Sequence, residues 1–481
     1  MKYQPVIGLE IHAELKTKTK MFCNSLNDPL EQHPNVNICP VCAGQPGALP
    51  VINKEAVRKV LMVGLALDGK IAETSYFDRK NYFYPDLPKG YQISQYKCPL
   101  VEGGRLNKVR ITRIHLEEDT GKLVHREGEN YSLIDFNRAG VPLMELVTEP
   151  AIASSGEARA FAEELQLLLK YLGVSDADME KGQMRVEVNI SLQSEISDSK
   201  LGTKVEVKNL NSFRSVERAI EYEIKRQTGV LEEGKKVIQE TRGWDEKKQK
   251  TFSQRQKEES HDYRYFPEPD LPSLKLEEIE EFKIENLKRQ LPELPWQKRE
   301  RLAKQYGLKD NLDIFIRDKA LADYFENIIS EILAWEANEQ KEKLIKLASN
   351  YLLSDLQGIL KEKSASFDDI LITPENFAEL MKMIAKNEIS SRVAKDVLKE
   401  MFGTGVDPTH IVGEKGLSQV SDEAQLEKIV GEIIKKNPQA VEDYKKGKGA
   451  SLQFLLGQIM RQTRGAANPE IIRKLLVAKI Q

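Results

Sequence analysis

A chain of 481 residues, 40% hydrophobic and 31% charged, with mean hydropathy −0.48, is a water-facing globular protein too long for one core, with roughly two to four domains. No apolar stretch approaches the ~18 residues of a membrane span, and Glu10 and His12 interrupt what would be a signal-peptide core. Four cysteines make no disulfide scaffold and a net charge of −3 selects no partner, so the expectation is a cytoplasmic protein without a membrane role.

The first predicted element is the strand Val6–Leu15. Successive side chains of a strand point to opposite faces. Ile7, Leu9, Ile11, Ala13 and Leu15 take one face, and Glu10, His12 and Glu14 take the other. Carboxylates beside an imidazole suit metal, proton or charged-ligand chemistry; a solvated sheet face is the plainer alternative. Next come Cys23 and the pair Cys39-Pro-Val-Cys42, which has zinc-knuckle spacing. Three cysteines could hold zinc with a fourth ligand such as His33, although no second Cys-x-x-Cys completes the set. A helix is expected over 54–67. The GLALDGKI that follows resembles a phosphate loop but has Ile71 where a hydroxyl is required, and a helix where a strand should precede it. The stretch 77–96, FDRKNYFYPDLPKGYQISQY, reads as an irregular aromatic loop carrying Arg79, Lys80 and Lys89, able to cover phosphates or bases or simply to pack on a sheet.

Strand alternation recurs at 107–118, 131–137, 141–148, 183–192 and 203–208, with a second helix at 155–172. Glu10, His12, Glu117, Glu118 and Glu145 are candidates for one cluster on adjacent strands, a donor set suited to Mg²⁺. Strands interleaved irregularly with helices indicate an α+β fold. PELPWQKRE at 292–300 marks a boundary, after which helical periodicity dominates. Thr373-Pro374 is a helix start. A second boundary is expected within 402–416, with Pro438 and Pro469 opening helices beyond it. The domains are therefore 1–292, 293–405 and 406–481. From Gly431 to Gln481 ten Lys/Arg face four Asp/Glu, about +6, which is either a footprint for a polyanion or a lysine-rich solvated surface.

VIGLEIHAEL, CPVCAGQPGALP, FDRKNYFYPDLPKGYQISQY, RIHLEEDTGK, DFNRAGVPLMELVTEP, KNLNSFR and DYRYFPEPDL closely resemble the B-subunit (GatB) family of tRNA-dependent aspartyl/glutamyl amidotransferases. SLQFLLGQIMRQTRGAANPEIIRKLL resembles that family's C-terminal module, so the likeness spans essentially the whole chain. It implies a catalytic cradle with a glutamine-synthetase-like antiparallel sheet, an all-α helical domain and a small YqeY-like helical tail that binds tRNA. It implies a carbon–nitrogen ligase with glutamine as amido donor. ATP and Mg²⁺ phosphorylate the side-chain carboxylate of Glu-tRNA(Gln) or Asp-tRNA(Asn). Ammonia from a partner amidase A subunit then displaces the phosphate, and a small C subunit steadies this heterotrimer. Carried over by motif, the metal ligands are Glu10, His12, Glu118 and Glu145, with Glu117 nearby. Arg79, Lys80 and Arg113 suit the phosphates. Lys435, Lys436, Lys445, Lys446, Lys448, Arg461 and Arg464 suit tRNA.

Three departures from the family pattern stand out. Ser25 replaces a cysteine of the zinc set. Glu187 stands for an aspartate in Arg185-Val186-Glu187-Val188-Asn189, and Ala151 replaces the aspartate of Glu149-Pro150-Ala151-Ile152. The competing readings are a tRNA-binding scaffold with a decayed site and a free-standing ligase acting on a small amino acid.

Overall fold

Alternating apolar and charged positions build the sheet that dominates the first of two units. The computed structural model describes residues 3–126, 128–194, 201–256, 263–308, 312–335, 340–417, 423–463, 467 and 469–480. Contacts divide the chain into Met1–Pro295 and Trp296–Gln481. The main elements of the first unit are β1 (Tyr3–Glu14), α1 (Lys54–Ala66), β2 (Asp78–Asn81), β3 (Tyr91–Ser94), β4 (Val109–Glu118), β5 (Pro142–Thr148), α2 (Ser155–Tyr171), β6 (Met184–Ser194), β7 (Val205–Leu210), α3 (Phe213–Glu232), β8 (Glu240–Asp245), β9 (Lys250–Gln256) and β10 (Phe266–Pro267).

A ten-stranded sheet runs in the order β9-β8-β7-β6-β1-β5-β4, continued by the short pairs Val101–Glu102 and Lys70–Ile71, with Arg105–Leu106 also on β4. The expected antiparallel sheet has one exception: β7 and β8 run parallel. A parallel pair cannot close through a tight turn, and α3 provides the crossover. One sheet face is apolar. Ile7, Leu9 and Ile11 of β1 and Val186, Val188 and Ile190 of β6 are buried with Phe161, Leu165 and Leu168 of α2 and Val216, Ala219 and Ile220 of α3. Asn53 caps α1 by accepting from the Glu55 and Ala56 N–H groups.

The stretch 77–96 differs from its expected irregular form. β2 and β3 pair from Asp78↔Ser94 to Asn81↔Tyr91, and β10 adds a third strand. Its prolines and glycines lie between the strands, in 82–90, where they build the turn rather than break the pairing.

The second unit is helical and includes α4 (Lys319–Trp335), α5 (Pro374–Ala385), α6 (Ser391–Thr404), α7 (Pro408–Lys415), α8 (Glu423–Lys436), α9 (Pro438–Lys445), α10 (Gly449–Gln462) and α11 (Pro469–Ile480). The Thr373 hydroxyl accepts from Asn376 N–H to start α5. The Gly/Pro-bearing stretch 402–416 holds α7, capped by Asp407 and packed on α5 and α6. The last four helices share a small core of Leu426, Val430, Leu455, Ile459, Ile472 and Leu476. Among the described residues no helix is long and apolar enough to cross a membrane.

Candidate active site

Strand register assembles the polar face of the sheet. On β1, His12 stands opposite Arg185 of β6 on one side and Glu145 of β5 on the other; Glu145 in turn stands opposite His115 of β4. The row Arg185–His12–Glu145–His115 thus crosses four strands on one face. The row above it runs Glu187–Glu10–Val147–Arg113, and below it Glu14–Leu143–Glu117. Each strand contributes every second residue, so segments far apart in sequence deliver their charged positions to one surface.

His12 is the hub. Its Nε2 lies 3.3 Å from Glu145 Oε2, 3.6 Å from Glu117 Oε1 and 3.8 Å from Glu10 Oε1. His115 Nε2 approaches Glu145 Oε2 from the other side at 3.4 Å, and Arg113 Nη2 lies 3.7 Å from Glu145 Oε1. Burial opposes the charge on Glu145, but His115 and His12 outweigh it and hold the carboxyl well below its ordinary range. Burial also lowers His12, yet the Glu145 hydrogen bond and the charges of Glu145, Glu117 and Glu187 lift it to about 9. Glu10 is pushed up to about 7 by burial and by Glu145 and Glu187.

Three overlapping triads could each hold a metal ion, with ligand atoms all within 4.8 Å of one another: Glu10/His12/Glu145, His115/Glu117/Glu145 and Glu10/Glu187/Glu206. Carboxylates with one imidazole fit a hard divalent cation. Such a cation needs Glu10 and His12 deprotonated, so its binding expels protons. Mn²⁺ affinity should therefore climb as pH rises through 7 and on to 9. Calorimetry in two buffers of different ionisation enthalpy reads the protons released, and a pH-independent affinity over that window would contradict the assignment. The stability sign is opposite for Glu10. Its folded pKa lies above the ordinary 4.5, so its contribution to the cation-free protein is present below 4.5 and lost as pH rises through 7.

The expected cluster of Glu10, His12, Glu118 and Glu145 is assembled only in part. Glu118 has the opposite parity on β4 to Arg113, His115 and Glu117. Its carboxylate accepts from Lys89 Nζ at 2.8 Å and from the Ile93 N–H at 3.0 Å. Glu117 takes the place beside His12. Adjacent Arg79 and Lys80 diverge in the same way. Arg79 makes a two-bond pair with the buried Glu268 (2.7 and 2.8 Å), reaches Asp270, and lies 4.2 Å over the Tyr91 ring. Lys80 places its ammonium 5.1 Å over the Tyr263 ring. Burial opposes its charge, but Glu117, Tyr265 and Glu145 raise its pKa.

Cys23, Cys39 and Cys42 converge, with sulfurs within 4.8 Å of one another. His33 does not join them; its ring is exposed and bonds Glu31 Oε1 at 2.8 Å. Among the described residues the set stops at three thiols and the Ser25 hydroxyl, with a buried lysine, Lys20, nearby. This does not fit a closed four-ligand zinc site. In the helical unit Lys435, Lys436, Lys445, Lys446, Lys448 and Arg461 are exposed, with Lys446 on Glu442 and Lys448 on Asp443. Arg464 lies outside the described residues.

The sequence reading missed His115, Arg185, Glu187, Glu206 and Lys208 as members of this face. Lys208 Nζ lies 2.8 Å from Glu187 and 3.4 Å from Glu206. Parity in Arg113-Ile-His115-Leu-Glu117 was the available signal for His115.

A mixed sheet whose polar face gathers imidazoles and carboxylates, in a chain that continues into a helical unit, makes an α+β protein with a candidate site for a charged ligand. The chain belongs to the GatB family: residues 5–280 match the GatB/GatE catalytic domain and residues 323–480 the GatB domain. Similar curated proteins include the aspartyl/glutamyl-tRNA(Asn/Gln) amidotransferase B subunit of Persephonella marina, 47% identical over 99% of both chains. The proteins of that name from Caldicellulosiruptor saccharolyticus (48% identical over 100% of both chains) and Thermotoga maritima (48%, 99% of this chain and 98% of the relative) are similar too.

Proposed function

We propose that this chain is the carboxylate-activating subunit of a cytoplasmic tRNA-dependent amidotransferase. Its substrate is the glutamyl group of Glu-tRNA(Gln), the aspartyl group of Asp-tRNA(Asn), or both. A carboxylate is a poor acyl donor because oxide would have to leave. Transfer of the γ-phosphoryl group of ATP to a carboxylate oxygen releases ADP and gives an acyl phosphate. Ammonia from the A subunit, which the C subunit steadies, then attacks the carbonyl, and phosphate leaves with formation of the amide. Two anions must meet, so fixed cations and excluded water set the rate.

The observation that carries this reading is the row Arg185–His12–Glu145–His115 on one sheet face, in a chain similar along its whole length to amidotransferase B subunits. Glu10, His12 and Glu145 would hold Mg²⁺, which when bound screens charge on the transferring phosphoryl group. His115 and His12 keep Glu145 ionised. Lys80 offers a cation among the tyrosines, and Arg113, at the edge of its row, is placed to orient phosphate oxygens. In the assembled complex, ATP hydrolysis should require misacylated tRNA and stay at background with uncharged tRNA. Hydrolysis absent under both conditions, with tRNA binding intact, would favour a scaffold.

The basic tail is proposed to hold the tRNA body through phosphates, which fix position without reading sequence. Removing residues from Ser418 onward should raise KM for aminoacyl-tRNA and flatten the salt dependence of binding, by roughly 0.9 in log–log slope for each duplex phosphate no longer neutralised. Equal slopes for full-length and truncated complexes would make the tail a structural module.

A further inference from the structure

The thiols of Cys23, Cys39 and Cys42 lie apart from the polar sheet face and serve none of the steps above. Cys39 and Cys42 sulfurs are 3.8 Å apart, and the Cys39 N–H donates to Cys42 Sγ at 3.1 Å. The Ser25 hydroxyl lies 3.8 Å from the same sulfur. Lys20 is fully buried and donates to the Phe136 carbonyl at 3.1 Å. A buried ammonium needs a counter-charge; burial holds Lys20 below its ordinary range, and Cys42, Cys23 and Cys39 offset part of that cost. Gly140, at φ +86°, brings the backbone close; a Cβ there would stand 3.4 Å from Cys42 Cβ and 3.6 Å from Lys20 Cδ.

Every donor around Cys42 favours its thiolate. The Cys23 thiol, the Cys39 N–H and Lys20 draw it down to about 4, while Cys23 is pushed up. A cavity of about 230 Å³ lined by Cys23 and Cys42 gives a small oxidant access.

We propose that this cluster is a peroxide-oxidisable modification site, in which Cys42 is the attacking sulfur, Cys39 closes the disulfide, and Lys20 takes the place of a metal ion. The Cys42 thiolate attacks one peroxide oxygen. The O–O bond breaks, hydroxide leaves and takes up the proton that the Cys42 thiol released on ionising to give water, and Cys42 becomes a sulfenic acid. The Cys39 sulfur then attacks Cys42, the S–O bond breaks and a second water leaves. Two thiols and one hydrogen peroxide give one disulfide and two waters. The sulfurs close from 3.8 Å to about 2.0 Å, within reach of a Cys-x-x-Cys turn.

The experiment uses the full chain, reduced and desalted. Zinc is measured, thiols are titrated under native conditions before and after hydrogen peroxide, and disulfides are mapped by mass spectrometry. The expected result is no stoichiometric zinc, two thiols lost, and a Cys39–Cys42 link. Cys39→Ser should accumulate a dimedone-reactive sulfenic acid on Cys42. Lys20→Met should slow the reaction about tenfold or more, and Lys20→Arg should preserve it. Should Lys20→Met fail to fold, Lys20→Arg and the linkage in the unsubstituted chain still decide the matter. Ser25→Cys completes four thiolates and should gain zinc and peroxide resistance. One zinc per chain with its thiols protected, or oxidation of Cys98 as fast as Cys42, would overturn the proposal.

Discussion

Glu145→Gln is expected to lower amide formation on the order of 10³-fold through kcat, with the KM for aminoacyl-tRNA nearly unchanged. Glu145 is shared by two of the three triads and is gripped by His12 at 3.3 Å and His115 at 3.4 Å. The amide keeps its volume but removes the charge that both imidazoles face. His12 would then lose the partner that lifts it to about 9, and the candidate cation-binding donor set would lose its central negative charge. Single-turnover amidation and tRNA binding, measured on the same assembled complex, separate the effects. A matching loss of tRNA affinity would move Glu145 from the chemistry to tRNA recognition.

Arg79→Ala should destabilise the first unit by about 3–5 kcal/mol. Its guanidinium is the cation paired with the Glu268 side chain, which is 0% exposed, and removing it leaves a buried carboxylate uncompensated. The cation–π attraction to Tyr91 and Phe266 disappears as well. Urea unfolding of the variant checks this, and the companion Lys80→Met should reduce turnover with far less effect on stability. Unchanged stability of Arg79→Ala with a raised KM for ATP would restore Arg79 to the phosphates.

These substitutions fall where strand parity divides neighbours. β1, β4 and β6 were legible because each alternates apolar and charged residues over several positions, and Glu10 and His12 with them. β5, PLMELVT, carries one charge, so Glu145 was legible as the lone carboxylate of an otherwise uncharged strand. Parity also separates Glu117 from Glu118 and Arg79 from Lys80, but only once the strand is known to continue regularly to its end. Glu118 closes β4, and the 77–96 segment carries prolines and glycines that masked its two strands. Partners remote in sequence were out of reach. Glu268 lies 189 residues from Arg79, and nothing local announces that β1 sits between β5 and β6. Sheet order alone brings Arg185 and Glu187 beside β1. The thiol cluster was visible as spacing, whereas the buried ammonium of Lys20 beside it was not, because burial of a lysine depends on packing of separate segments.

Phosphorylation of a tRNA-borne carboxylate at the polar face of this sheet, before ammonia arrives, is the step on which the proposed function turns. Misacylated tRNA carrying ¹⁸O in the side-chain carboxylate tests it most directly. With ATP, glutamine and the assembled complex, each amide formed should leave one ¹⁸O in the released phosphate, and Glu145→Gln should suppress both products together. Amide formed at a normal rate with no ¹⁸O in the phosphate would contradict it.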